Sequence, residues 1–315
     1  MKISNTSNTK IKIHDLPSEQ DLKRQIMLTS AIVWKHELTE KEIGKWLSNF
    51  KGEVFDKHSE RRLALWLLAN FVYYNENEVR HLCKTLYHDF IHRMLVDKIG
   101  IESNIENSIK GVLNTSRFYY LGRPGESGAF LLYYFRQENY LPLDNFIFHP
   151  EDLSKEISTI VFIDDVTLSE GKRGQAVGYI EIAMKNYSQN KRSVLLTFIA
   201  TKKTIEDLEK KGTTVISCIV LDERNKCFSN ESNVFHYFKD HLDNCEKFAV
   251  HYGKKVKPSY PLGYNDGQFV FGFFYNTPDN SLPIFWAENN GWYPIIKRYD
   301  KNYVKSEYIE LERFV

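Results

Sequence analysis

Residues Thr159 to Gly174 read TIVFIDDVTLSEGKRG, and this stretch decides the predicted fold of the 315-residue chain. Four apolar residues, Ile160 to Ile163, predict a buried strand that delivers Asp164 and Asp165 to its end. The small and polar residues that follow are typical of a turn that leads into a helix. An acidic pair in this position predicts a ligand site at the carboxyl edge of a parallel sheet.

The segments on either side of this stretch alternate between strand and helix patterns. Predicted strands lie at Arg117–Leu121, near Phe146, at Ser193–Thr201 and at Thr213–Leu221, and predicted helices at Ala129–Gln137, Gly174–Tyr187 and Thr204–Lys211. Continuous apolar strands between amphipathic helices predict an α/β fold, in which helices flank a parallel sheet.

Further out, the pattern changes twice, so that we predict four segments. They are a polar arm (1–16), a helical lobe (17–110), the α/β domain (111–224) and a carboxyl-terminal extension packed on the core (225–315). In the helical lobe, Thr39 with Glu42 and Asn75 with Glu78 predict helix starts of the capping-box type. The extension is predicted to hold a helix at Asn233–Tyr252 and a strand at Gln268–Tyr275.

Composition excludes several classes of function. The 42 Lys and Arg residues balance 41 Asp and Glu residues, so no bulk attraction to nucleic acid or anionic membrane is expected. The longest apolar stretch, Leu63–Tyr74, falls well short of the roughly 20 residues that cross a bilayer. Four scattered cysteines and a polar amino terminus predict a reduced, cytoplasmic protein without a membrane segment.

The acidic pair and the turn after it suit a ribose phosphate. Vicinal ribose hydroxyls can donate hydrogen bonds to Asp164 and Asp165, which are therefore the candidate catalytic residues. Backbone N–H groups of the turn and of a helix start can hold a 5′-phosphate. The Ser169 hydroxyl and the Lys172 ammonium add a donor and a positive charge. An alternative remains open in which the acidic pair only caps the turn.

The stretch FIDDVTLSEG resembles the signature of the type I phosphoribosyltransferase superfamily, an apolar strand, two acidic residues and a small-residue phosphate loop. This resemblance implies a phosphoribosyl pyrophosphate ligand that carries Mg²⁺, with Asp164 and Asp165 on the ribose hydroxyls. It also implies that Ser169 and Gly171, with the backbone between them, hold the 5′-phosphate. The candidate substrate-binding residues of this loop are Val166, Thr167, Leu168, Ser169, Glu170, Gly171 and Lys172. No separate protein metal site is expected.

Two residues depart from the superfamily pattern. Leu168 and Glu170 stand where Thr and Gly are usual, and a carboxylate inside a phosphate loop is electrostatically unfavourable unless it turns away. Two hypotheses therefore stay open. The chain is either an enzyme, a transferase or hydrolase acting at the anomeric carbon, or a catalytically degenerate module that senses a nucleotide or binds a nucleic acid or a protein partner.

A second glycine-rich loop, Gly122 to Gly128 (GRPGESG), follows the first predicted strand. Arg123 can pair with phosphate oxygens and Ser127 can donate a hydrogen bond, so both are candidate substrate-binding residues. The alternative is an ordinary strand-to-helix turn.

The segment Pro261–Trp286, PLGYNDGQFVFGFFYNTPDNSLPIFW, places amide side chains beside aromatic rings. Asn276 and Asn280 can read the edge of a nucleobase while Trp286 or Tyr264 stacks on its face. The alternative is a pair of turns with an aromatic core anchor.

FIDDV and NTPDNSLPIFW together resemble the phosphoribosyltransferase-like effectors of bacterial conflict and anti-phage loci, including some retron operons. The resemblance runs from about Trp46 to Arg298. It implies a defence effector, with a nucleotide or ribose phosphate as ligand. The partners it suggests are a reverse transcriptase with its RNA, another defence protein or a second copy of the chain.

Overall fold

The computed structural model describes residues 15–36, 38–97, 104–122, 125–147, 153–168, 178–183 and 191–299. By its contacts the chain divides into two compact units. One unit comprises residues 75–233, and the other comprises residues 1–74 together with residues 234–315. This division does not follow the four predicted segments, which remain predictions about domain organisation.

The unit of residues 75–233 is built on a parallel sheet of four strands. The strands are β2 (Ser116–Tyr120), β3 (Thr159–Thr167), β4 (Arg192–Thr201) and β5 (Thr213–Leu221), in the order β2-β3-β4-β5. All three pairings are parallel. Residues 160–163 of β3 and residues 194–196 of β4 are at most 1% exposed, because helices cover these central strands. The predicted parallel α/β fold is confirmed.

Helices pack on both faces of this sheet. They are α4 (Glu76–Val96), α5 (Ile105–Asn114), α6 (Ser127–Glu138), α7 (Lys202–Lys210) and a helical stretch at 178–183. On one face, Phe118 of β2 packs against Phe90 of α4 and Phe135 of α6. On the other face, Ile180 and Leu208 pack in one apolar cluster with strand residues.

The second unit holds a two-stranded parallel sheet and short helices. Its helices are α1 (Glu19–Thr29), α2 (Glu40–Leu47), α3 (Lys57–Ala69), α8 (Leu242–Val256) and α9 (Pro283–Trp286), and its strands are β1 (Val72–Tyr74) and β6 (Phe271–Phe273). A π-helical turn, Ser30–Trp34, extends α1. Its core is aromatic, since Phe50 contacts Trp46, Phe248 and Tyr252 at centroid distances of 5.1 to 5.2 Å.

Two predicted elements in this unit are shorter than expected. The strand predicted at Gln268–Tyr275 forms a strand over Phe271–Phe273, with an isolated parallel bridge between Phe269 and Ser281 before it. The helix predicted from Asn233 begins at Leu242, after a 3-10 turn at Lys239–His241. A tertiary contact explains the later start of the helix. The Phe238 ring packs edge-on against the Trp66 ring, with the two ring centroids 4.9 Å apart, and this contact holds the residue just before the 3-10 turn.

Local signals at the helix starts are confirmed. Thr39 with Glu42 and Asn75 with Glu78 form the reciprocal hydrogen bonds of capping boxes at the starts of α2 and α4. In the part of the chain that the structure describes, no helix combines the length and apolarity needed to cross a bilayer.

Candidate functional site

Strand β3 is longer than the sequence predicts. The expected strand ends at Ile163, whereas β3 continues to Thr167. The extension pairs with β4, with Asp164 opposite Thr197 and Thr167 opposite Ala200. The acidic pair therefore lies within the second half of a strand, where its backbone is fixed by the sheet.

The neighbouring strand β2 stops before the acidic pair. Its last paired residue, Tyr120, lies opposite Ile163, and the N–H of Leu121 donates the next hydrogen bond to the Ile163 carbonyl, at 2.9 Å. Asp164 and Asp165 come directly after this point and are half-buried. The end of β2 thus leaves a step at the carboxyl edge of the sheet, next to the two carboxylates.

Hydrogen bonds orient the first carboxylate. Oδ1 of Asp164 accepts the backbone N–H of Asp165 at 3.0 Å, and Oδ2 lies 3.5 Å from the Thr167 hydroxyl. That hydroxyl also lies 3.4 Å from the hydroxyl of Thr197 on β4. Because Thr167 and Thr197 are almost fully buried, this cluster supports Asp164 from beneath. Sequence patterns did not single out Thr197, since only strand register brings it to the site.

The loop after β2 brings the start of α6 close to the acidic pair. A Cβ atom added to Gly128 would lie 2.4 Å from the Leu121 carbonyl oxygen and 3.4 Å from that of Ile163. Only glycine allows this approach of helix to strand. Gly122 (φ 106°) and Gly125 (φ 90°) give the loop its left-handed turns. Ser127, a predicted binding residue, is the first residue of α6.

The structure also places Glu126 in this loop. A Cβ on Gly122 would lie 2.5 Å from a Glu126 carboxylate oxygen, so this carboxylate folds over the turn. Arg123, which we predict to bind phosphate, lies outside the described residues.

The predicted phosphate loop is described only at its beginning. Val166 is half-buried, and Thr167 and Leu168 are buried, at 2% and 6% exposure. The predicted contacts Ser169, Glu170, Gly171 and Lys172 lie outside the described residues. Within the described part of the loop, the side chains of Thr167 and Leu168 therefore face the protein interior.

Asn276 and Asn280 lie in the other compact unit and make hydrogen bonds within the chain. Oδ1 of Asn276 accepts the backbone N–H groups of Thr277 and Tyr299, at 3.0 and 2.9 Å. The amide of Asn280, which is 6% exposed, donates to the Tyr264 carbonyl at 2.9 Å. These bonds fasten one turn to another, and base recognition by the two residues stays a prediction.

The predicted stacking residue Trp286 is buried in the same unit. It is 3% exposed and donates its indole N–H to the Ser281 carbonyl at 3.0 Å. Cationic groups of Arg298 and Lys257 lie 5.0 and 5.7 Å from its ring centroid. The ring therefore has the environment of an anchor inside the fold.

A cation at the sheet edge would depend largely on its ligand for coordination. Among the described residues, no group of three His, Cys, Asp or Glu side chains is placed to hold a metal ion. Two adjacent half-buried carboxylates do fit Mg²⁺, which usually keeps several waters and binds through one or two carboxylates plus substrate phosphates.

Comparison with known families agrees with this geometry. The PRTase-CE family model matches residues 43–298, which include the whole sheet and the acidic pair. No curated protein matches the chain. The match covers most of the sequence, so the chain belongs to the PRTase-CE family and is phosphoribosyltransferase-like.

Proposed function

We propose that the chain binds a ribose 5-phosphate compound at the carboxyl end of β3 and catalyses substitution at its anomeric carbon. The observation that carries the proposal is the half-buried pair Asp164 and Asp165. The pair lies on the buried parallel strand β3, which extends beyond the end of its neighbour β2. Ligands of open α/β sheets bind at this edge. Adjacent carboxylates at a step in the sheet suit the vicinal hydroxyls of a ribose.

The chemistry follows from the charge at the site. The bond from the anomeric carbon to its leaving group breaks with both electrons, while an acceptor nitrogen or water forms the new bond and releases a proton. Positive charge develops on the ribose in between. Fixed carboxylates near the ring stabilise that charge, and the hydrogen bonds to Asp164 keep its carboxylate in place.

Mg²⁺ is the cofactor we propose, bound chiefly through the pyrophosphate of the substrate and contacted by Asp164 and Asp165. When bound, it supplies positive charge that neutralises the leaving pyrophosphate.

The biological setting we propose is a cytoplasmic effector of a bacterial anti-phage system. Membership of the PRTase-CE family and the resemblance of FIDDV and NTPDNSLPIFW to conflict effectors support this role. A reverse transcriptase with its RNA, another defence protein or a second copy of the chain is the expected partner.

A second function, nucleotide sensing without turnover, has a specific observation in its favour. Leu168 is buried, and the Thr167 hydroxyl lies near Asp164 and Thr197. The Leu168 side chain has no hydrogen-bond donor, and the buried Thr167 hydroxyl is directed to these two side chains and not to a phosphate at the surface. A loop with fewer side-chain donors is consistent with binding that no longer supports catalysis.

The test replaces both carboxylates by their neutral isosteres, Asp164→Asn with Asp165→Asn. Calorimetry with phosphoribosyl pyrophosphate and Mg²⁺ is expected to show binding to the unmodified chain and at least about 100-fold weaker binding to the variant, since two charge-assisted contacts are lost. Asp144→Asn, an exposed carboxylate of the same unit, is the matched control and is expected to bind normally.

Pyrophosphate release separates the two functions. Release that stops in the double variant supports the enzyme, whereas binding without release supports the sensor. Unchanged binding and release in the double variant would contradict both.

A further inference from the structure

A cleft that is separate from the predicted site lies in the unit of residues 1–74 and 234–315. Three segments form its walls: the loop 48–53, the end of α8 at 255–256 and the turn 289–293. We call it the Lys51 cleft. Its volume of ≈390 Å³ falls within the range of small-molecule sites, which begins at about 300 Å³.

A buried carboxylate fixes the first wall. Glu60, which is fully buried, accepts the backbone N–H groups of Gly52 and Val54, each at 2.7 Å, and the hydroxyl of Tyr252 at 2.6 Å. Tyr252 in turn accepts the N–H of Lys51 at 3.0 Å. The loop that carries Lys51 is therefore held from below by two fully buried side chains, Glu60 and Tyr252.

Asparagine side chains fix the opposite wall. Asn289 and Asn290 donate to the carbonyls of Val256 and Lys255, at 3.1 and 2.8 Å, and so tie the turn to the end of α8. Asn49 exchanges two hydrogen bonds with the backbone of Tyr293, at 2.9 and 3.1 Å. Such bonds preorganise the walls before any ligand arrives.

The cleft carries an excess of positive charge. Lys51 and Lys255 line it, and the only lining carboxylate within the described residues is Glu53, which pairs with Lys255 and with His251. The Lys51 ammonium forms no ion pair with any residue that the structure describes. An anion in the cleft would thus meet an uncompensated cation.

The same cleft offers an aromatic ring and hydrogen-bond acceptors. Tyr293 is 52% exposed, with the Lys45 ammonium 6.0 Å from its ring centroid, and Trp292 also lines the cleft. The amide oxygens of Asn289 and Asn290 make no hydrogen bond within the described ranges, so they can accept from a ligand.

We propose that the Lys51 cleft binds a nucleoside 5′-phosphate. The phosphate of this ligand pairs with Lys51, its base stacks on the Tyr293 ring, and its N–H and O–H groups donate to the amide oxygens of Asn289 and Asn290. A planar, anionic molecule with N–H and O–H donors uses all three features of the cleft together. An inorganic anion would use only the lysine, and an uncharged nucleoside only the ring and the amides. The site is distinct from the acidic pair, which lies in the other unit.

The test uses adenosine monophosphate as the probe and the full chain carrying Asp164→Asn and Asp165→Asn, so that the sheet-edge site is disabled. Calorimetry is expected to show one binding event. Lys51→Ala is expected to weaken it at least about tenfold, because one charge-assisted contact is lost. Tyr293→Ala is expected to weaken it as well, through the loss of stacking.

Matched variants and ligands sharpen the result. Lys51→Arg keeps the charge and Lys247→Ala removes an exposed lysine elsewhere on α8, so both are expected to bind normally. Adenosine and inorganic phosphate alone are each expected to bind more weakly than the nucleotide. Lys51 is exposed and its backbone bond to Tyr252 does not need its side chain, so Lys51→Ala is expected to fold with an unchanged melting temperature.

Three results would overturn the proposal: no binding of the nucleotide at about millimolar concentration, equal affinity in Lys51→Ala, or phosphate alone binding as tightly as the nucleotide. Each of these leaves the function proposed for the acidic pair untouched, because that function is tested with phosphoribosyl pyrophosphate, by comparing the chain that has both aspartates with the double variant.

Discussion

The two compact units use their polar side chains differently. In the unit of residues 75–233, Asp164 and Asp165 lie half-buried where β2 has already ended. In the other unit, Glu60 and Asn280 are buried and bind backbone groups of neighbouring turns. The first arrangement leaves two carboxylates near solvent at the carboxyl edge of the sheet. The second uses polar groups to build a scaffold, so a polar residue in a family-specific segment need not belong to a ligand site.

The strongest challenge to this contrast is Glu60→Ala. The change leaves three backbone N–H groups and the Tyr252 hydroxyl without their acceptor, so we expect a loss of more than about 3 kcal/mol in the free energy of unfolding. Glu60→Gln should lose less. Glu288→Ala, an exposed carboxylate of the same unit, should change little.

Urea denaturation followed by tryptophan fluorescence measures this loss. All five tryptophans report on the unit of residues 1–74 and 234–315: Trp34, Trp46, Trp66, Trp286 and Trp292. A loss below about 1 kcal/mol for Glu60→Ala would show that the network is dispensable.

The second challenge tests the other unit through Gly128→Ala. The new methyl group would press on the Leu121 and Ile163 carbonyls and push α6 away from β3. We expect a loss of about 1–3 kcal/mol, measured by circular dichroism during urea denaturation, together with weaker ribose phosphate binding. Gly111→Ala in α5 meets no atom within 4 Å and should gain up to about 1 kcal/mol. Equal stability of the two variants would contradict the close approach.

The third concerns Asn280→Ala, which distinguishes scaffold from base recognition. Loss of the bond to the Tyr264 carbonyl should lower the free energy of unfolding by about 1 kcal/mol, measured by tryptophan fluorescence. If nucleotide affinity falls while stability does not, Asn280 is a ligand residue and the contrast between the units fails there.

The smallest expected effect depends on pH. The hydrogen bond from the buried His241 ring, with nearby Arg62, holds the pKa of Asp15 below its ordinary value. A lowered carboxyl pKa stabilises the fold above its unfolded value of about 3.9, and this contribution disappears as the pH falls through the folded value. Asp15→Asn should therefore lower the melting temperature slightly near neutral pH and not at about pH 2. An equal decrease at both pH values would exclude the ionised pair as the cause.

Much of the fold could be predicted from the sequence because the signals for it are local. The apolar run Ile160–Ile163, the alternation of strands and helices and the capping boxes each depend on a few neighbouring residues, and each is confirmed. Other features depend on distant partners. Strand β3 reaches Thr167 because β4 pairs with it, and α8 begins only at Leu242.

The features of the candidate site also fall into those that local sequence predicts and those that distant contacts decide. The sequence by itself determined that two carboxylates adjoin the buried residues Ile160–Ile163 of a parallel strand, because hydrophobic periodicity depends on consecutive residues. Only the tertiary structure decided that β2 stops beside them, that Thr197 supports Asp164 through Thr167, and that Asn276 and Asn280 fasten turns in the other unit. These are matters of register and packing between residues far apart in the chain, and no local pattern encodes them.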